Sequence, residues 1–185
     1  MINFKTIIRI IGILLLLETV MLLACSAISY YYNDEALLDF WKSAGITAGA
    51  GLLMAIAGKG GEKQLTRRDG YVLVSLAWVA FSLFGMLPFY ISGYVPDITN
   101  AFFETMSGFT STGATVLDNI ESLPHGLLFW RGMTQWIGGL GIIMFTIAVL
   151  PIFGVSGLQV FAAEASGPTH DKVHPRIGIT AKWIW

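Results

Sequence analysis

Between Ala101 and Leu117 the chain reads AFFETMSGFTSTGATVL, an apolar stretch closed by Ser107-Gly108 and followed by Thr110-Ser111-Thr112-Gly113-Ala114-Thr115. The string holds no catalytic nucleophile and no acid–base pair. What it offers is oxygen, as hydroxyls and as bare main-chain carbonyls. Gly113 permits positive φ, so that neighbouring carbonyls can turn toward one axis, and the β-branched threonines hold the flanking backbone extended. Rings of such carbonyls in a membrane cavity replace an ion's hydration shell. Hard oxygens without carboxylates suit a weakly hydrated monovalent cation better than Ca²⁺ or Mg²⁺. One glycine rather than two at the core predicts a filter less tightly specified than the TVGYG type.

The elements that must position this string follow from its flanks. Asp97, Thr99 or Asn100 can cap a helix, Ala101 to Met106 supplies its apolar body, and Ser107 and Gly108 are natural terminators. About eleven residues reach roughly 16 Å, half a bilayer. A helix entering from outside would end near the midplane with the negative end of its macrodipole facing the pathway. That polarity favours a cation.

The chain of 185 residues is 55% hydrophobic and only 12% charged, with mean hydropathy +0.67, where a soluble domain is about a quarter charged. An integral membrane protein is the class these values leave. Four uncharged stretches read as spans: Ile10 to Tyr32 (interrupted by Glu18), Ser43 to Gly58, Gly70 to Pro96, and Gly132 to Ala163, which Pro151 should bend or end. Lys5 and Arg9 precede the first span, and Asp34, Glu35 and Asp39 follow it. Lys59, Lys63, Arg67 and Arg68 precede the third; Asp97, Glu104, Asp118 and Glu121 follow; Lys172, Arg176 and Lys182 come after the fourth. Basic loops alternate with acidic ones, which predicts an inside N-terminus, a Ser/Thr/Gly segment entering from outside, and an inside tail. The N-terminal run is too long for a cleaved leader and reads as a retained anchor.

Other candidates carry blander readings. Cys25 is a lone thiol in an apolar run, which excludes an internal disulfide framework. Glu18 is an intramembrane carboxylate, a candidate ion or proton relay by default, but without an ionisable partner in its own run it reads as helix packing or a protonated side chain. His170 and His174 stand at zinc-ligand spacing, yet Pro168 and Pro175 bracket them, so a solvated inner loop is expected. Gly138, Gly139 and Gly141 lack the strand and acidic residue of a dinucleotide fingerprint and read as close helix packing. Trp78, Trp130 and Trp136 read as interface anchors or bundle packing.

The string ETMSGFTSTGATVL, followed by WRGMTQWIGGLGIIMF and PIFGVSGLQVFAAEASGP, resembles the TrkH/KtrB family of bacterial potassium uptake proteins, and most of all its TrkH branch. The resemblance implies an all-α integral membrane fold: two leading transmembrane helices, then one helix–pore helix–filter–helix repeat. Residues 1–69 would hold the leading helices and a basic inner loop, 70–165 the first pore repeat, and 166–185 an inner loop with the start of a further span. In the family four repeats surround one pore, so this chain would carry one filter segment of four and reads as a fragment. The implied ion-binding residues are Ser111, Thr112 and Gly113, with Thr110 and Ala114 as neighbours, holding K⁺ as the transported ion and no cofactor. The implied activity is K⁺ uptake, by conduction or coupled to another ion. The implied setting is the bacterial inner membrane and its lipid, in a homodimer on a cytosolic nucleotide-binding regulatory ring, with no nucleic acid. A membrane scaffold or regulatory subunit whose loop binds an outside partner, and a membrane enzyme using Glu18, His125, His170 or His174, are the alternatives.

Overall fold

The computed structural model describes residues 3–60 and 67–149. Within them the elements are α1 (Phe4–Tyr31), α2 (Leu37–Ala57), α3 (Arg67–Gly85), α4 (Leu87–Ile91), α5 (Ile98–Phe109), a short 3-10 turn (Ile120–Ser122) and α6 (His125–Val149), with no strand among the described residues. Pro151, His170, His174 and the segment 166–185 lie outside them. The chain divides into two compact units, Met1–Gln135 and Trp136–Trp185. The helical bundle belongs to the first; α6 begins in it and runs on to Val149.

Three helical stretches among the described residues are long and apolar enough to cross a bilayer: Phe4–Tyr31, Leu37–Ala57 and, with α3 and α4 taken together, Arg68–Ile91. Their packing departs from that of a soluble protein on the outer face, around a core that includes Ile7, Ile11 and Leu15. Val20 and Leu53 are mostly exposed, whereas Thr19, Ser43, Thr47 and Thr105 are buried. Hydrocarbon offers the outward apolar side chains a solvent as apolar as themselves. Several buried hydroxyls are satisfied within their own helices: Thr19 Oγ1 donates to Leu15 O at 2.9 Å and Thr47 Oγ1 to Ser43 O at 2.8 Å. Such internal pairing is what a medium without water requires; the buried Ser29 Oγ is an exception and finds no partner.

The pair α1–α2 forms a hairpin that reverses at Asn33, whose left-handed φ of +52° asparagine tolerates. Small residues set the approach. A Cβ at Gly12 would lie 2.7 Å from Gly51 O, and one at Gly51 would lie 2.9 Å from Gly12 O. Backbones meet here because neither residue has a side chain.

The uncharged run Gly70 to Pro96 is not one helix. It breaks at Met86 and ends at Ile91, with Ser92 as C-cap and Gly93 at φ +77°. Pro88 explains the break, since it brings no N–H to the carbonyl one turn back. The second span begins earlier than its uncharged core suggests, and Asp39 and Lys42 pair at 2.9 Å within α2.

Charge sorts to the two ends of the bundle. At one end Gly58 packs on the backbone of Lys5 and Arg9, and Asn3 N–H donates to Asp69 Oδ1 at 2.9 Å. At the other, Asp34 accepts from Gly126 N–H at 2.9 Å, with His125 Nδ1 at 3.3 Å. The turn after α1 and the start of α6 therefore share the acidic end.

Candidate ion-binding segment

α5 begins as its sequence suggests. Asp97 is its N-cap, in extended conformation, and its carboxylate accepts from Thr99 N–H at 2.8 Å. Twelve residues follow, about 18 Å of helix. Ser107 and Gly108 do not end it; helix continues to Phe109. Both residues serve contacts instead. A Cβ at Gly108 would strike Thr134 Oγ1, so the glycine lets α5 touch α6. Ser107 Oγ donates to Ala114 O at 2.6 Å.

The chain leaves the helix through Ser111, left-handed at φ +54°, and Gly113, at φ +74°. Ser111 thus takes the position usually given to glycine beyond a helix end. Ser111 N–H closes on Gly108 O at 2.8 Å and Thr112 N–H on Ser107 O at 3.0 Å. Thr110 Oγ1 bonds Met106 O and meets Thr112 Oγ1 at 2.9 Å. The returning segment then runs back along α5, with Ala114 opposite Ser107 and Thr115 and Val116 opposite Glu104.

Contacts with α6 give the depth of this tip. Glu104 meets Arg131, Gly108 meets Thr134, and Ser111 Oγ donates to Gln135 O at 3.2 Å. The two helices therefore descend together from the acidic end. The tip is level with Gln135, ten residues after His125 and so about 15 Å of helix below the start of α6.

Among the described residues, the carbonyl oxygens of Thr110, Ser111, Thr112 and Gly113 accept no hydrogen bond, and all four residues are exposed. Ala114 differs, its carbonyl being taken by Ser107. A Cβ on Gly113 would meet nothing within 4 Å, so the backbone faces open space. Being exposed, these four carbonyls are free to bond water or a ligand.

Behind the segment lies a group that sequence reading assigned to loop charge. Glu104 is buried, and its Oε1 accepts from Arg131 Nε at 2.7 Å. Its Oε2 accepts from Thr115 Oγ1 at 2.9 Å and Val116 N–H at 3.1 Å. One carboxylate thus ties α5, the returning strand and α6 together, and the guanidinium neutralises it. The signal was present in the sequence: between Arg68 and Lys172, Arg131 is the only lysine or arginine. A carboxylate in an apolar half-helix needs such a partner. Aromatic packing completes the back wall. Phe109 meets Phe81 at 5.4 Å and Trp130 edge-on at 6.3 Å, and Trp130 Nε1 donates to Gly85 O at 2.8 Å. Trp78 joins the same cluster, so Trp78 and Trp130 are bundle residues.

The other candidates fall away from this place. Gly138, Gly139 and Gly141 are helical, which removes a phosphate-cradling loop. Among the described residues no three His, Cys, Asp or Glu gather in a metal site.

The family model for TrkH, described as a cation transport protein, matches residues 40–185. The chain belongs to the TrkH family. It is 40% identical over 186 aligned positions to the Trk system potassium uptake protein TrkH of Escherichia coli (strain K12), covering 99% of this chain and 38% of that protein. It is 38% identical to the protein of the same name from Halomonas elongata, again over 99% of this chain and 38% of the relative. The crystal structure of the potassium transporter TrkH from Vibrio parahaemolyticus matches 100% of this chain and 36% of its own, with TM-score 0.82 and 35% identity. The chain therefore spans under two-fifths of the TrkH relatives it matches. Membership places it in a family of transporters rather than enzymes.

Proposed function

We propose that this chain carries part of a potassium uptake pathway, in which the main-chain carbonyls of Thr110, Ser111, Thr112 and Gly113 line a selectivity filter and replace the water around K⁺. In this reading α3–α4, α5, the returning segment and α6 form one helix–pore helix–filter–helix repeat. Ala114 and Thr115 anchor its outer end. The observation that carries the reading is the row of four unbonded carbonyls at the deep end of a half-length helix. The negative end of the α5 macrodipole points toward the same place, which repels anions and favours a cation. TrkH relatives named as potassium uptake proteins support K⁺ as that cation.

A single carbonyl segment covers one side of an ion, so the filter needs further segments around the same axis. By family resemblance the whole transporter is a homodimer in the bacterial inner membrane, regulated by a cytosolic nucleotide-binding ring. The ordering of charge, basic at the Lys5–Arg9 end and acidic at the Asp34 end, supports an N-terminus in the cytoplasm.

The test is K⁺-limited growth of an uptake-deficient bacterium carrying the complete reading frame, with Gly113→Ser and Gly113→Asp as variants. The filter reading expects both to lose K⁺ uptake while membrane expression is retained. Unchanged uptake in both would overturn it.

A further inference from the structure

Glu18 is a buried carboxylate that nothing above uses. It sits on α1, fully buried, and neither of its carboxyl oxygens has a hydrogen-bond partner. Its surroundings are specific. A Cβ placed on Gly85 would lie 2.8 Å from Glu18 Oε1, 2.9 Å from the Thr105 methyl carbon and 3.0 Å from the edge of the Phe109 ring. The carboxyl head is thus walled by the last residue of α3 and the final turns of α5, and Phe109 is bonded directly to Thr110, where the carbonyl row begins. We propose that Glu18 is a proton-binding site behind α5, and that its occupancy tunes how tightly the segment after α5 holds its cation.

The chemistry of the pocket selects the ligand. An isolated buried carboxylate without a hydrogen-bond donor is penalised by several kcal/mol or more. The charged groups on neighbouring elements do not relieve it. Glu104 on α5 is committed to Arg131 of α6, Asp39 and Lys42 on α2 pair with each other, Asp69 on α3 accepts from Asn3, and Lys5 and Arg9 on α1 lie at the basic end. None of these, nor Arg68, hydrogen-bonds either oxygen. The groups nearest the same spot at Gly85 are a methyl and a ring edge, neither titratable. They offer a metal cation no further oxygen ligand. A proton needs none.

The coupling follows from position. When the proton leaves, a negative charge appears beside the C-terminal end of α5, which already carries the negative end of the helix dipole. The two fields add, so a cation at the tip is held more tightly and released more slowly. As the pH rises, the KM for K⁺ and the maximal uptake rate should fall together. Glu18→Gln, which cannot ionise and has nearly the same shape, should keep the acid-pH values throughout; Glu18→Leu is a second neutral variant should Gln fold poorly.

Two readouts test this on the complete transporter in liposomes. The first is the infrared C=O band of a protonated carboxyl, expected in the wild type and lost in Glu18→Gln. Its absence from the wild type, or its survival in the variant, overturns the proton site. The second is the pH profile of K⁺ uptake, expected to be flat in both neutral variants. A profile in either that overlays the wild type overturns the coupling. Only the second readout rests on the filter reading. If Gly113 variants transport normally while the infrared band behaves as expected, the filter reading fails and the proton site stands.

Discussion

At position 113 the backbone lies at φ +74° with open space where a Cβ would go. Gly113→Ala therefore meets no steric wall, and its cost of about 1–2 kcal/mol is conformational. Thermal unfolding of the purified protein should register that small loss, whereas K⁺ uptake should fall much further, because the carbonyls on either side turn with the altered backbone. Equal, mild effects on both would mark Gly113 as an ordinary turn glycine. Glu104 and Arg131 behave differently, since removing either leaves the other buried and unpaired. Glu104→Gln or Arg131→Met alone should destabilise by about 3–5 kcal/mol. The double variant should cost clearly less than the sum, in a double-mutant cycle on melting temperature. Sequence reading located Gly113 because glycine's freedom is a property of one residue. It missed the left-handed Ser111, whose conformation is imposed by the closure onto Gly108 and the bond to Gln135. It also missed the pairing of Glu104 with Arg131, two residues far apart in the chain.

Among the elements, α5 was readable from Asp97 and the apolar run behind it, because a cap and a helix body are local features. Its end was not. Ser107-Gly108 is a stop signal by composition, but contact with Thr134 on α6 and with Ala114 on the returning strand overrides it. That contact makes a test with a suppressor. Gly108→Ala should destabilise the protein by about 1–3 kcal/mol through overpacking, and Thr134→Gly in the same chain, which removes both the struck hydroxyl and the Cβ 2.9 Å away, should restore part of the loss. Failure of the second substitution to rescue would mean that α5 and α6 are not in register as described. The broken third span carries a similar lesson. Absence of charge shows where a membrane helix can lie, but only Pro88 signals where it breaks. Trp130→Phe should cost about 1 kcal/mol for the hydrogen bond to the Gly85 carbonyl, read as a lower melting temperature.

On the scale of the whole molecule, the apolar outer face is the feature that composition foretold most directly. Polar groups such as Glu104, Thr105 and Thr134 are inside, while Val20 and Leu53 face outward. Ile46→Arg, at the middle of α2 and on its outward face, should therefore cost about 3 kcal/mol toward membrane insertion and lower the amount of protein in the membrane fraction. On a soluble surface the same change would be nearly neutral. Among the described residues, Lys5 and Arg9 gather at one end of the bundle and Asp34 at the other. Glu104 lies at neither end but folds inward to hold the carbonyl segment.

The most direct test is diffraction from crystals of the complete transporter grown with Rb⁺ or Tl⁺ in place of K⁺. The filter reading predicts anomalous density within direct coordination distance of the carbonyl oxygens between Thr110 and Gly113. Well-ordered carbonyls there with no ion density, and ions bound elsewhere along the pathway, would contradict it.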